Sequence, residues 1–268
     1  MDGETDLNAP VSGSTTLRRA GTVRVNAYCP DLVQFSNIDN GTVELTCPTN
    51  DFSANMTFGG GTLGLWRLAN GGLPSSAGCG TSFSFGDAAY PKAVTLVYCG
   101  DTDVTCDRAM DVRACNGSVA QYPSQYARHE GMSLAVRRAG VKATYTGAIT
   151  LKNLDAKNPF FCCEGDGDVE VTSALCDRFH LYKKGSGTWT LSGAVASTGT
   201  CTVTEGRLDL NGSFAPGLAL DVRSGATFGG TGRVGCAATF GSGVTLAPGT
   251  ATEIGTLAFA DQLKLTGG

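Results

Sequence analysis

A five-residue unit recurs along the chain at close to constant spacing: a glycine, a polar or small residue, then an apolar, any and an apolar residue. It appears at Gly21, Val23 and Val25, at Gly41, Val43 and Leu45, and at Gly61, Leu63 and Leu65. It returns at Gly147 with Ile149 and Leu151, Gly187 with Trp189 and Leu191, Gly206 with Leu208 and Leu210, and Gly255 with Leu257 and Phe259. A turn glycine followed by alternation of period two marks a short, half-buried strand. Hairpins would require tight two-residue turns between paired strands throughout. A strand that returns every 20 residues or so fits a solenoid instead, in which each coil stacks on the last in parallel and only the stack makes a core.

The reading is therefore all-β: a right-handed parallel β-helix with loop insertions. At about 20 residues per coil the chain makes about 13 coils, a rod about 60 Å long at the strand spacing of a sheet. Glycine at 38 of 268 residues, without a G-X-Y period, agrees with many tight turns and excludes collagen. Residues 1–20 are acidic and polar and read as a disordered or polar leader with no secretory apolar segment. Residues 21–180 read as coils interrupted by loops near 66–92 and 120–168. The stretch 120–139 reads as a loop or short helix and 153–168 as a loop with Pro159. Residues 181–268 read as further coils, cut short at the C-terminus. Trp189 alternates with Thr188 and Thr190 and is expected to face the core with Leu191 turned outward, or the reverse.

Net charge is −4, which is no electrostatic footprint for a phosphate backbone, so nucleic acid is not expected as a partner. No run of 18 apolar residues occurs, so the segment is not expected to insert in a membrane as a helix.

The chemistry-bearing residues are few. Two glycine patterns of the GxGxxG type occur, at Gly59, Gly61 and Gly64 and at Gly230, Gly232 and Gly235. Neither is followed by a helix-forming stretch, so they read as turn glycines and no cofactor is expected. His129 and His180 are the only histidines and neither has a partner motif, so a Ser-His-Asp site is not expected. Asp101, Asp103, Asp107 and Asp111 form one acidic group, and Glu164, Asp166, Asp168 and Glu170 another. Spacing of two puts Asp101 and Asp103, and Asp166 and Asp168, on one face of a strand, where they are weak candidates for Ca²⁺ ligands or paired acid and base. Eleven cysteines are present without a CxxC. Cys79 and Cys99, 20 residues apart like the repeat, are expected to stack on neighbouring coils within reach of a disulfide.

The last third carries a more specific signal. The runs Lys184–Gly193, Thr198–Val203, Glu205–Leu210, Ser224–Val234, Ser242–Gly249 and Ile254–Leu257 resemble, in wording and order, the autotransporter passenger-associated (autotransporter-associated beta-strand) repeat. That resemblance, over 181–268, implies coils of a right-handed parallel β-helix in a protein of the bacterial cell surface, outer membrane-associated or secreted. It assigns no catalytic residue. The function expected is a non-catalytic structural segment, a rigid stalk or display scaffold, monomeric, with an unknown host or surface ligand. Two alternatives stay open: a β-helix carbohydrate-active or carbohydrate-binding protein using acidic groove residues, and an adhesin whose loops bind a ligand. A convergent set of acids with Arg or Lys on neighbouring coils would favour the first alternative.

Overall fold

The computed structural model describes residues 3–17, 21–37, 41–86, 93–114, 131–153, 159–250 and 253–266. It is a parallel β-solenoid with no helix among the described residues. Twelve strands stack in one sheet, from Glu4–Leu7 at one end to Leu263–Leu265 at the other, each paired in parallel with the next coil. Twelve strands, one fewer than the expected 13 coils, give a stack about 50 Å tall.

The other faces change along the rod. A second face runs from Gly13–Leu17 to Ile149–Asn153 as a six-stranded sheet and from Leu175–Cys176 to Ala258–Phe259 as a five-stranded one. A third, seven-stranded sheet begins only at Val104–Cys106 and runs to Thr245–Pro248. Before it starts, the corner it would occupy is filled by the turns after Val25, Leu45 and Leu65, of which 66–81 is the longest.

Alternation explains the core. Val23, Val43, Leu63, Leu96 and Leu134 follow one another in register up the twelve-stranded sheet and are all buried. Val25, Leu45, Leu65, Tyr98 and Val136 form the neighbouring inward file. Full burial of such a side chain contributes about 1.5–3 kcal/mol, so the files supply the driving force that a single coil lacks. Trp189 and Leu191 both face inward, at 0% and 1% exposure, because residues two apart share a face of a strand. The expectation that one of them turns outward is corrected.

Several other readings of the sequence are corrected. The leader contains the strands Glu4–Leu7 and Gly13–Leu17, the first paired with Thr22–Val25. Residues Gly131–Val136 are neither loop nor helix but a strand buried at every position. Phe160–Gly165 and Asp168–Val171 lie in the stretch read as a loop and are strands of two faces. Residues 115–130 and 154–158 lie outside the described residues. The register from Gly61 to Val94 is 33 residues and from Val94 to Met132 is 38, so the coil is not of constant length. That variation undoes the expected Cys79–Cys99 stack. Tyr98 lies over Leu65, and the Cys99 amide donates to the Leu65 carbonyl, whereas the Cys79 amide bonds to Phe52 in the corner loop. Both thiols are free.

Candidate functional site

The outward face of the twelve-stranded sheet carries a chain of opposite charges that crosses coils. Arg24 binds Glu4 on the coil below with two hydrogen bonds of 2.9 and 3.0 Å, and its Nε donates to Glu44 on the coil above at 3.0 Å. Glu44 is nearly buried, and its second oxygen accepts from Arg137. The Trp66 indole N–H donates to the Glu44 carboxylate at 3.4 Å, and the Arg137 guanidinium stands 5.9 Å from the centre of the Trp66 ring. Burial pushes the Glu44 carboxyl up, but these donors outweigh it and its pKa lies below the ordinary value.

Gly64 makes that arrangement possible. It sits between Glu44 and Val97 in the register. A Cβ there would stand 3.0 Å from Glu44 Cγ and 3.2 Å from Cys99 Sγ, so any side chain crowds the path between Arg137 and Glu44. The seven-stranded face repeats the device. Arg207 donates to Asp209 at 2.7 Å and reaches the carbonyls of Ala247 and Gly249 at 3.3 and 2.8 Å. A Cβ on Gly229 would meet the Arg207 guanidinium at 2.3 Å. Gly64 is thus a strand glycine, and its GxGxxG context has no helix behind it.

Beside this charge chain lies an open cleft of about 510 Å³ on the same face. Its floor is Thr62, Thr95, Val97 and Ala135, and Arg137, Glu164, Asp166 and Lys184 rise at its sides. The Lys184 ammonium stands 5.8 Å over the Tyr182 ring.

The acidic groups singled out from the sequence are separated by the fold. Asp101 is exposed in the turn before Val104–Cys106, so it shares no strand face with Asp103. Asp103 accepts from the Lys142 amide at 2.8 Å. Asp166 lies in a turn and accepts from the Ser186 hydroxyl at 2.7 Å, while Asp168 opens a strand and accepts from the Thr188 amide at 2.7 Å. The last three carboxylates join one coil to the next. Among the described residues no three of His, Cys, Asp and Glu converge as a metal site. Asp107 accepts from the Gly71 amide at 2.7 Å and so ties the corner loop. Glu170 pairs with Lys142 and accepts from Ser192, which holds its pKa below the ordinary carboxylate value despite burial.

His180 Nδ1 accepts from the Thr200 amide at 3.2 Å and lies 2.8 Å from the Thr200 hydroxyl, one coil on. Burial, helped by Arg178, lowers its pKa. His129 lies outside the described residues.

Two buried cations escaped the sequence reading. Arg108, 1% exposed, donates to the carbonyls of Ala69, Leu73, Ala77 and Gly78 and to the Ser75 hydroxyl, at 2.6–3.2 Å. It pins the whole corner loop from inside, with the face of Phe83 5.5 Å away. Lys183 occupies an inward position between Cys163 and Val203, and its Nζ turns to the carbonyls of Lys184 and Gly185, both at 2.7 Å. Nothing in local sequence distinguishes these from surface cations, because their acceptors are backbone carbonyls supplied by turns.

In comparisons with family models, with curated proteins and with solved structures, nothing matches this chain.

Proposed function

We propose that the chain is a non-catalytic structural segment, a rigid β-helical stalk or display scaffold, of a bacterial surface or secreted autotransporter-like protein. The observation that carries this reading is how the polar side chains are used. Asp103, Asp166, Asp168, Glu44 and Arg207 are each engaged in bonds that join coils of the solenoid. A carboxylate committed to a neighbouring coil is poorly placed to serve as acid, base or nucleophile. Parallel coil pairing and a continuous apolar core give a stiff element without a closed pocket, as a stalk requires. The resemblance of 181–268 to passenger repeats supports the cell-surface setting.

Immunogold labelling of intact source cells with antibodies raised against the purified chain tests the reading. Label at the cell surface, or recovery of the protein from the medium, supports it; label confined to the cytoplasm overturns the setting. Turnover of a polysaccharide that is lost in Asp166→Asn or Asp103→Asn overturns the non-catalytic role.

A further inference from the structure

We infer that the cleft on the outer face of the twelve-stranded sheet is a binding site for a stretch of linear oligosaccharide lying along the solenoid axis. The cleft crosses five consecutive coils, from the strand of Thr62 through those of Thr95, Ala135 and Glu164 to the corner at Lys184. Four coil spacings make it about 20 Å long. It is shallow and elongated, which suits an extended polymer better than a compact small molecule.

The kind of polymer follows from which groups the face offers. In this sheet the backbone N–H and C=O groups are spent on pairing coil to coil. An extended peptide, whose recognition rests on main-chain hydrogen bonds to a sheet edge, finds none to share on the face. Only side chains remain. The Thr62 and Thr95 hydroxyls both donate and accept, the Glu164 and Asp166 carboxylates accept, and the Arg137 and Lys184 groups donate. Two cations and two anions leave no net charge for a polyanion to seek. Neutral hydroxyls, which both donate and accept, match that mixture. Val97 and Ala135 add an apolar strip in the floor, suited to the C–H face of a pyranose ring. Glu164 takes part in none of the coil-to-coil bonds that occupy the other acids, so its carboxylate is available.

The test uses the intact chain on an array of immobilised neutral and acidic oligosaccharides, followed by calorimetric titration of the best-retained structure as a series of increasing length. Affinity should rise with chain length up to about four units and level off, since longer chains leave the cleft. Val97→Trp fills the floor and should weaken binding about tenfold or more. Glu164→Ala removes one acceptor and should weaken it by about threefold to tenfold. Thr245→Ala, exposed on the seven-stranded face, should change nothing, and all three variants should keep the wild-type far-UV spectrum and melting temperature. Failure of every oligosaccharide to bind overturns the inference, as does binding unaffected by Val97→Trp or preference for an extended peptide. The scaffold reading survives any of those results, because it rests on the coil-joining bonds and not on the cleft.

Discussion

Arg137 reaches Glu44, 93 residues earlier in the chain, across two intervening coils. The contact forms because Gly64 leaves the surface between them bare, and it joins the coils on either side of the long 66–81 insertion. The corner loop therefore enters the rod without loosening its coils. Stacking within the sheet and a charge link over its surface hold the same segment in two independent ways.

Glu44→Gln tests that link. The substitution leaves Arg24 and Arg137 without their shared anion. Because both guanidinium groups are about one-third to two-fifths exposed, the loss should be moderate, about 1–3 kcal/mol in urea unfolding. The pH dependence has a defined sign. The folded carboxyl has a lowered pKa, so its contribution is present above the unfolded value of about 4.5 and is lost as pH falls through the folded value. Wild type should lose stability on acidification below pH 4.5 faster than Glu44→Gln; parallel curves would contradict the assignment.

Arg108→Met should uncouple the corner loop. The replacement leaves buried acceptors at Ala77 and Gly78 and the Ser75 hydroxyl without their donor. Each orphaned buried acceptor costs about 1–3 kcal/mol, less what water recovers as the loop opens. We expect the loss to be local: rapid proteolytic cleavage within 66–81 while the far-UV spectrum stays β. Arg108→Lys should not rescue it, because an ammonium cannot reproduce the forked set of donors. An uncleaved Arg108→Met protein would show that the loop is held by other contacts.

Tyr145 is 1% exposed, and its hydroxyl has no hydrogen-bond partner. It faces the core in register with Cys106 and Val171. A buried hydroxyl without a partner costs more than it returns, so Tyr145→Phe should leave stability unchanged or raise it by up to about 1–2 kcal/mol. A loss of more than about 1 kcal/mol would reveal a bound water or partner on that oxygen.

The architecture was legible where coils are short and alternate cleanly. Val23, Val43 and Leu63 stand in the register that their spacing of 20 predicts. It was illegible at Gly131–Val136, buried at all six positions. A strand covered on both faces loses the period of two that marks a half-buried strand, and its neighbours in register lie 38 and 29 residues away. Phe160–Gly165 was obscured by Pro159 before it and the glycines after it, which punctuate a coil as readily as a loop. The site was less legible still. Asp166 and Asp168 looked like paired ligands, but one lies in a turn and each bonds the coil above. Glu44, Gly64 and Arg137 carry no shared motif, because only the unequal coil lengths bring them together.

The cysteines give the last prediction, one that reads the register coil by coil. Cys163 and Cys201 face the core and are 2% and 0% exposed. Burial pushes both thiols well above their ordinary value, and pushes Cys99, Cys162 and Cys236 up to about 11. A thiol must ionise and be reached before it reacts, so these five should resist alkylation in the native protein at pH 8. Among the described residues, Cys176 is exposed and Cys47 and Cys79 are partly so. Brief native labelling with iodoacetamide, followed by peptide mass spectrometry, should mark Cys176 fastest, Cys47 and Cys79 more slowly, and the buried five only in denaturant. The pattern separates this register from its nearest alternative. A slip of one residue in the strand Phe160–Gly165 would turn Cys163 outward and Cys162 inward. Rapid native labelling of Cys163 would therefore refute the pairing of Leu134 with Cys163 and of Cys163 with Lys183.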